Sequence, residues 1–173
     1  MRQASYFLTS AGIEAVVDNQ VVAPLIKIFE MIAKNNLILA TGHLSPEESL
    51  VVIEKAKELG VEKIVVNHPE WWSVSMPLDI QKQVASYGAY LERCYATRWP
   101  GKAYEKNFAK NAAIHEVGYE STIISTDGGQ VENPMWSEAL GEYLQYMLKA
   151  GISQDVLDKM TKVYPAMLLG LAK

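Results

Sequence analysis

The sequence predicts an α/β protein with a parallel sheet built from successive strand–helix units. Three observations predict it. Short apolar runs at 37–40, 64–66 and 122–124 alternate with stretches of helical periodicity. The runs are continuously apolar, as in strands buried on both faces. The helical stretches end on Gly60, Gly88, Gly118 and Gly151, where a C-terminal glycine stops a helix. Strands alternating with helices imply right-handed βαβ crossovers.

Each element has its own warrant. Residues 1–20 form a poorly defined N-terminal segment, with a short strand at 13–17 ended by Asp18-Asn19. Pro24 opens a helix in which Leu25, Ile28, Phe29 and Ile32 share a face, and Asn35-Asn36 closes it. The run 37–40 is a strand buried on both faces. Ser45-Pro46-Glu47-Glu48 starts the next helix: Ser45 caps the backbone, Pro46 suits the first helical position and Glu48 completes a capping box. Leu50, Ile53 and Ala56 form its apolar face. The second strand is 64–66. A helix over 77–87 leads to a third strand at 89–92. A helix over 102–117 carries Tyr104, Phe108, Ala112 and Val117 and precedes the fourth strand, 122–124. The helix over 136–150 turns Leu140, Tyr143, Leu144 and Met147 inward. Ser153 caps a short helix through Met160, and Pro165 opens a last one.

The bulk numbers narrow the function class. The 173 residues suggest one domain spanning 1–173. Net charge is −4 with 16 basic residues spread thinly, so no nucleic-acid partner is expected. No apolar run approaches the ~20 residues of a membrane span. The N-terminus makes a poor signal peptide. Cys94 is the sole cysteine, so no intrachain disulfide forms, and a reducing, cytoplasmic setting fits. Gly-x-Gly-x-x-Gly, P-loop, Gly-x-Ser-x-Gly and Cys-x-x-Cys strings are all absent.

Chemistry concentrates in three strings: Ala-Thr-Gly-His at 40–43, Val-Asn-His-Pro-Glu at 66–70 and Ser-Thr-Asp-Gly-Gly at 125–129. Each follows a strand, and the C-terminal strand edge is where α/β folds place their sites. His43 and His68 lie on neighbouring strands, ~4.8 Å apart. Both imidazoles could therefore reach one metal ion at ~2.1 Å. Asp127 could ligate that ion or act as base for its water. The bland alternatives are a histidine capping the next helix and an aspartate in an Asx-turn. Glu70 and Glu92 could be extra ligands or partners that orient a histidine, but read more simply as surface or helix-facing acids. His115 reads as an exposed helix residue, and Cys94 as a small buried filler. Trp71, Trp72, Trp99 and Trp136 fall in strand-to-helix connections, where they either line a pocket mouth or cover apolar surface.

These strings, with Ala-Tyr-Leu-Glu-Arg-Cys-Tyr at 89–95 and Tyr-Pro-Ala-Met-Leu-Leu-Gly-Leu at 164–171, resemble the C-terminal half of an amidohydrolase-superfamily barrel. The nearest likeness is to an uncharacterised family of amidohydrolase-like, metal-dependent hydrolases, from about Val21 onward. The resemblance implies strands five to eight of a TIM-type barrel. It implies His43 as the fifth-strand ligand, His68 as the sixth, Asp127 as the eighth-strand acid, and Glu92 on the seventh strand. It further implies a divalent metal, zinc before manganese or iron. The reaction would be hydrolysis of an amide, ester or phosphoester bond in a small-molecule substrate by a metal-activated water. The family's His-x-His is missing, since His43, His68 and His115 are the only histidines. A single ion on His43, His68 and Asp127 is therefore expected, not a pair. A half-barrel also implies a homo-oligomer, a separate N-terminal half, or a fragment of a longer protein. The alternative is a catalytically inactive barrel half serving as a binding or interaction module.

Overall fold

A computed structural model of the chain describes residues 12–71, 73–95, 113–131 and 133–171. It opens with a two-stranded antiparallel hairpin, β1 (Val16–Val17) and β2 (Gln20–Val21). The 13–17 strand is thus shorter than expected and pairs locally. Asp18 and Asn19 both adopt left-handed φ, 50° and 60°. That is the turn a tight hairpin requires, and Asp and Asn tolerate it best among non-glycine residues.

Helix α1 (Ala23–Lys34) follows, with proline in its first turn. Strand β3 (Ile38–Ala40) leads to α2 (Pro46–Glu58), and β4 (Lys63–Asn67) to α3 (Leu78–Ser86). Strand β5 (Tyr90–Cys94) precedes the short α4 (Ala113–Val117), and β6 (Thr122–Ser125) precedes α5 (Trp136–Lys149). The earlier part of the expected 102–117 helix lies outside the described residues. Helix α6 (Gln154–Asp158) passes through a π-turn (Lys159–Val163) into α7 (Tyr164–Leu168). The expected break between Met160 and Pro165 is therefore absent. The wider π-turn lets the chain absorb a proline without ending the helical run.

Strands β3 to β6 form one parallel sheet in sequential order, β3-β4-β5-β6. The register pairs Leu39 with Ile64 and Val66 with Leu91. These residues face the helices, where Ile64, Val66 and Leu91 pack with Phe29, Ile53 and Val84. A second cluster joins Ile124 to Tyr143, Met147, Leu157 and Met160. In α5 the fully buried positions are Ala139, Tyr143 and Met147. Leu140 and Leu144, expected inward, pack against the cluster's margin.

The other face of the sheet is more open. Ala40 is exposed, and Asn67, Glu92, Ile123 and Ser125 are half-buried. Strand β3 is not buried on both faces as its apolar run implies: Ile38 is 37% exposed. Among the described residues it is an edge strand, paired only with β4. Among the described residues, no helix is long and apolar enough to cross a membrane.

Candidate functional site

The three strand-end strings converge at the C-terminal edge of the sheet. His43 follows β3, His68 follows β4 and Asp127 follows β6. Each strand leaves through a left-handed residue: Gly42 at φ 61°, His68 at φ 31° and Asp127 at φ 46°. Left-handed backbone is uncommon outside glycine and carries strain that surrounding contacts must hold.

The His43 and His68 ring centroids stand 4.5 Å apart. Trp71 packs edge-on against both, at 5.0 Å from His43 and 4.7 Å from His68. His43 is exposed, whereas His68 is 7% exposed. The Trp71 N–H bonds the His68 carbonyl at 2.8 Å, closing the turn that brings its indole back over the histidines. Of the two tryptophans among the described residues, Trp71 is therefore the one built into the site. Trp136 is the exposed first residue of α5, and Trp72 and Trp99 lie outside the described residues.

Electrostatics tie the acid to the imidazoles. Burial lowers the His68 pKa from its ordinary 6.5, and the neighbouring His43 lowers it further. Asp127 and Glu92 pull it the other way. Burial raises the Asp127 pKa above 3.8; His68 opposes this and Glu92 reinforces it. His68 and Asp127 thus act on each other, and both feel His43 and Glu92. At neutral pH, His68 is the uncharged imidazole that a ligand requires. Among the described residues, its buried Nδ1 has no hydrogen-bond partner on another residue. Among the described residues, however, no group of three or more His, Cys, Asp or Glu side chains is arranged to hold a metal ion.

Two hydrogen-bonding arrangements surround these residues. The Gly42 N–H donates to Asn67 Oδ1 at 2.8 Å, and Asn67 Nδ2 donates to Glu92 Oε2 at 2.7 Å. Glu92 is accordingly a bonded carboxylate on the open face and not a surface acid. On the helix face, Arg93 is fully buried and forms an ion pair with Glu70. Arg93 Nη1 also donates to Gln81 Oε1 at 3.1 Å. Its burial lowers the Arg93 pKa to about 10, with Tyr143 opposing. Glu70, expected as a surface or helix-facing acid, lies on the helix face and is 5% exposed. Its partner Arg93 stands 23 positions away on β5, beyond any local pattern.

His115 is exposed on α4, as expected. Cys94 is buried, and burial beside Glu92 pushes its thiol pKa up, which keeps it protonated and inert. A cleft of about 650 Å³ opens beside the His68–Trp71 turn, lined by Pro69, Glu70, Met76, Leu78, Gln81 and His115. His43, His68 and Asp127 do not line it.

Residues 2–92, just over half of the chain, match a family of unknown function (DUF6282). The chain belongs to that family. The matched stretch takes in His43, His68, Trp71 and Glu92, and ends before Arg93 and Asp127. No curated protein and no solved structure matches the chain.

Proposed function

We propose that this member of the family is a metal-dependent hydrolase of the amidohydrolase type, acting on an amide, ester or phosphoester bond of a small-molecule substrate. One observation carries the reading: two imidazoles 4.5 Å apart at the ends of adjacent parallel strands, electrostatically coupled to an aspartate two strands further on. Four parallel strands in sequential order suit strands five to eight of a barrel.

The residues fit a metal on chemical grounds. His68 is held uncharged, and among the described residues its buried Nδ1 has no hydrogen-bond partner on another residue. His43, His68 and Asp127 would hold the ion, with zinc the first choice and manganese or iron the alternatives. When bound, such an ion polarises the scissile bond and lowers the pKa of its water towards ~7. Asp127, with its raised pKa, is suited to accept and pass on a proton. Trp71 walls one side of the histidine pair. A second copy or a separate N-terminal half would close the sheet into a barrel. The buried, protonated Cys94 suits a reducing, cytoplasmic setting.

Protein purified without a metal-affinity tag tests the reading by elemental analysis after addition of zinc or manganese. Near-stoichiometric uptake, lost in His68→Asn, is expected. No uptake by the wild-type chain would overturn it. The second reading is an inactive barrel half serving as a binding module. The lack of a three-ligand group among the described residues favours that reading. Hydrolase activity abolished by His68→Asn would exclude it.

A further inference from the structure

We infer that Glu92 and Arg93, consecutive residues of β5, are positioning residues that hold the two histidine-bearing turns from opposite faces of the sheet. Successive strand residues point to opposite faces. Glu92 shares the open face with Asn67, its register partner on β4. Arg93 points among the helices, where it is fully buried.

On the open face, the chain of bonds runs from Glu92 Oε2 to Asn67 Nδ2, and from Asn67 Oδ1 to the Gly42 N–H. Gly42 immediately precedes His43, and its left-handed φ of 61° sets the direction in which His43 leaves β3. An asparagine amide offers a donor and an acceptor at once. Asn67 therefore bridges a carboxylate and a backbone N–H across three neighbouring strands. Any residue without both groups breaks the bridge.

On the helix face, the ion pair ties Arg93 to Glu70, two residues after His68. Arg93 is itself braced by Gln81 Oε1 at 3.1 Å and Thr122 Oγ1 at 3.4 Å, from α3 and β6. The turn it anchors contains His68 at φ 31°, closed by the Trp71 N–H to His68 carbonyl bond. A strained residue persists when its surroundings over-determine it. A buried guanidinium, with its planar fork of donors, supplies that restraint. One dipeptide thus governs His43 through one face and His68 through the other.

The test reads ring geometry with no metal added, so its outcome is independent of the hydrolase reading. The full chain is prepared with protonated histidine and tryptophan rings in a deuterated background. His43, His68 and His115 are assigned by individual His→Asn variants. The wild type should show ring-to-ring cross-peaks for His43–His68, His43–Trp71 and His68–Trp71. Asn67→Ala and Glu92→Leu should both abolish the His43 cross-peaks and keep His68–Trp71. Glu92→Gln, which still accepts the Asn67 bond, should keep all three. This arm separates hydrogen bonding from charge. Arg93→Met should abolish the His68–Trp71 cross-peak, and Arg93→Lys should restore it only in part. All three cross-peaks surviving in Asn67→Ala and Glu92→Leu would overturn the inference, as would equal loss of all three. If Arg93→Met does not fold, the Asn67 and Glu92 arms decide, since those side chains are only half-buried.

Discussion

His68 is pulled two ways, and its resulting charge state governs the pH behaviour of the site. Its folded pKa lies below 6.5 because burial and His43 disfavour the imidazolium. The unfolded chain therefore binds the proton more readily than the folded one. The associated stability is present above pH 6.5 and is lost as pH falls through the folded pKa. Asp127 has the opposite sign. Its folded pKa lies above 3.8, so its contribution is fully present below that value and is lost as pH rises through the folded pKa. Two outcomes follow for chemical unfolding followed across pH. His68→Asn should flatten the decline in stability on acidification below pH 6.5. Asp127→Asn should be more stable than the wild type at pH 7, having removed a carboxylate that is costly to bury. A less stable Asp127→Asn would mean that the aspartate is held by interactions stronger than its burial cost. At this scale the histidines and Asp127 were legible because each ends an apolar run. Asn67, Arg93 and the burial of Glu70 were not, because their partners lie on other strands and carry no local spacing.

Helix α2 shows which elements a sequence can specify alone. The Glu48 N–H donates to Ser45 Oγ at 3.2 Å, and the Ser45 N–H donates to Glu48 Oε2 at 3.1 Å. Both bonds of the capping box form within four consecutive residues, so the pattern was readable before any fold was known. Ser45→Ala should cost about 0.5–2 kcal/mol, measured as a lower urea midpoint with an unchanged slope. The same helix start follows His43 by two residues, so the cap also fixes the far end of the His43 turn. By contrast, the sequence predicts one strand where the β1–β2 hairpin forms, because the return strand has two residues, too few for a pattern. The π-turn was missed for a related reason: it changes bond spacing within one helical run and leaves no composition change.

At the level of the whole molecule, alternation of strand and helix specifies the parallel sheet, whereas its sequential order is implied only by the barrel resemblance. Which strand lies at an edge was not legible, since β3 and β4 are equally apolar in sequence and differ only in their neighbours. Leu37 and Ile38 of the β3 region are exposed, as are Ile28 and Met31 of α1. An open strand edge beside apolar surface favours association. Light scattering on the purified chain should therefore give a mass above the 19.3 kDa of one copy, or a rise in mass when an N-terminal barrel half is supplied. A stable 19.3 kDa species that ignores such a partner would count against barrel completion.

The left-handed turns at His68 and Asp127 also decide which replacements are informative. Alanine at either position retains the backbone demand but removes the side chain whose contacts sustain it. Such a variant mixes lost chemistry with a conformational penalty of about 1–3 kcal/mol. Asparagine enters the left-handed region more readily than other side chains. At these two positions it isolates the loss of imidazole or carboxylate from collapse of the turn. A β-branched residue loses the turn as well as the chemistry. A Val/Asn pair at each position therefore separates shape from function at the strand ends.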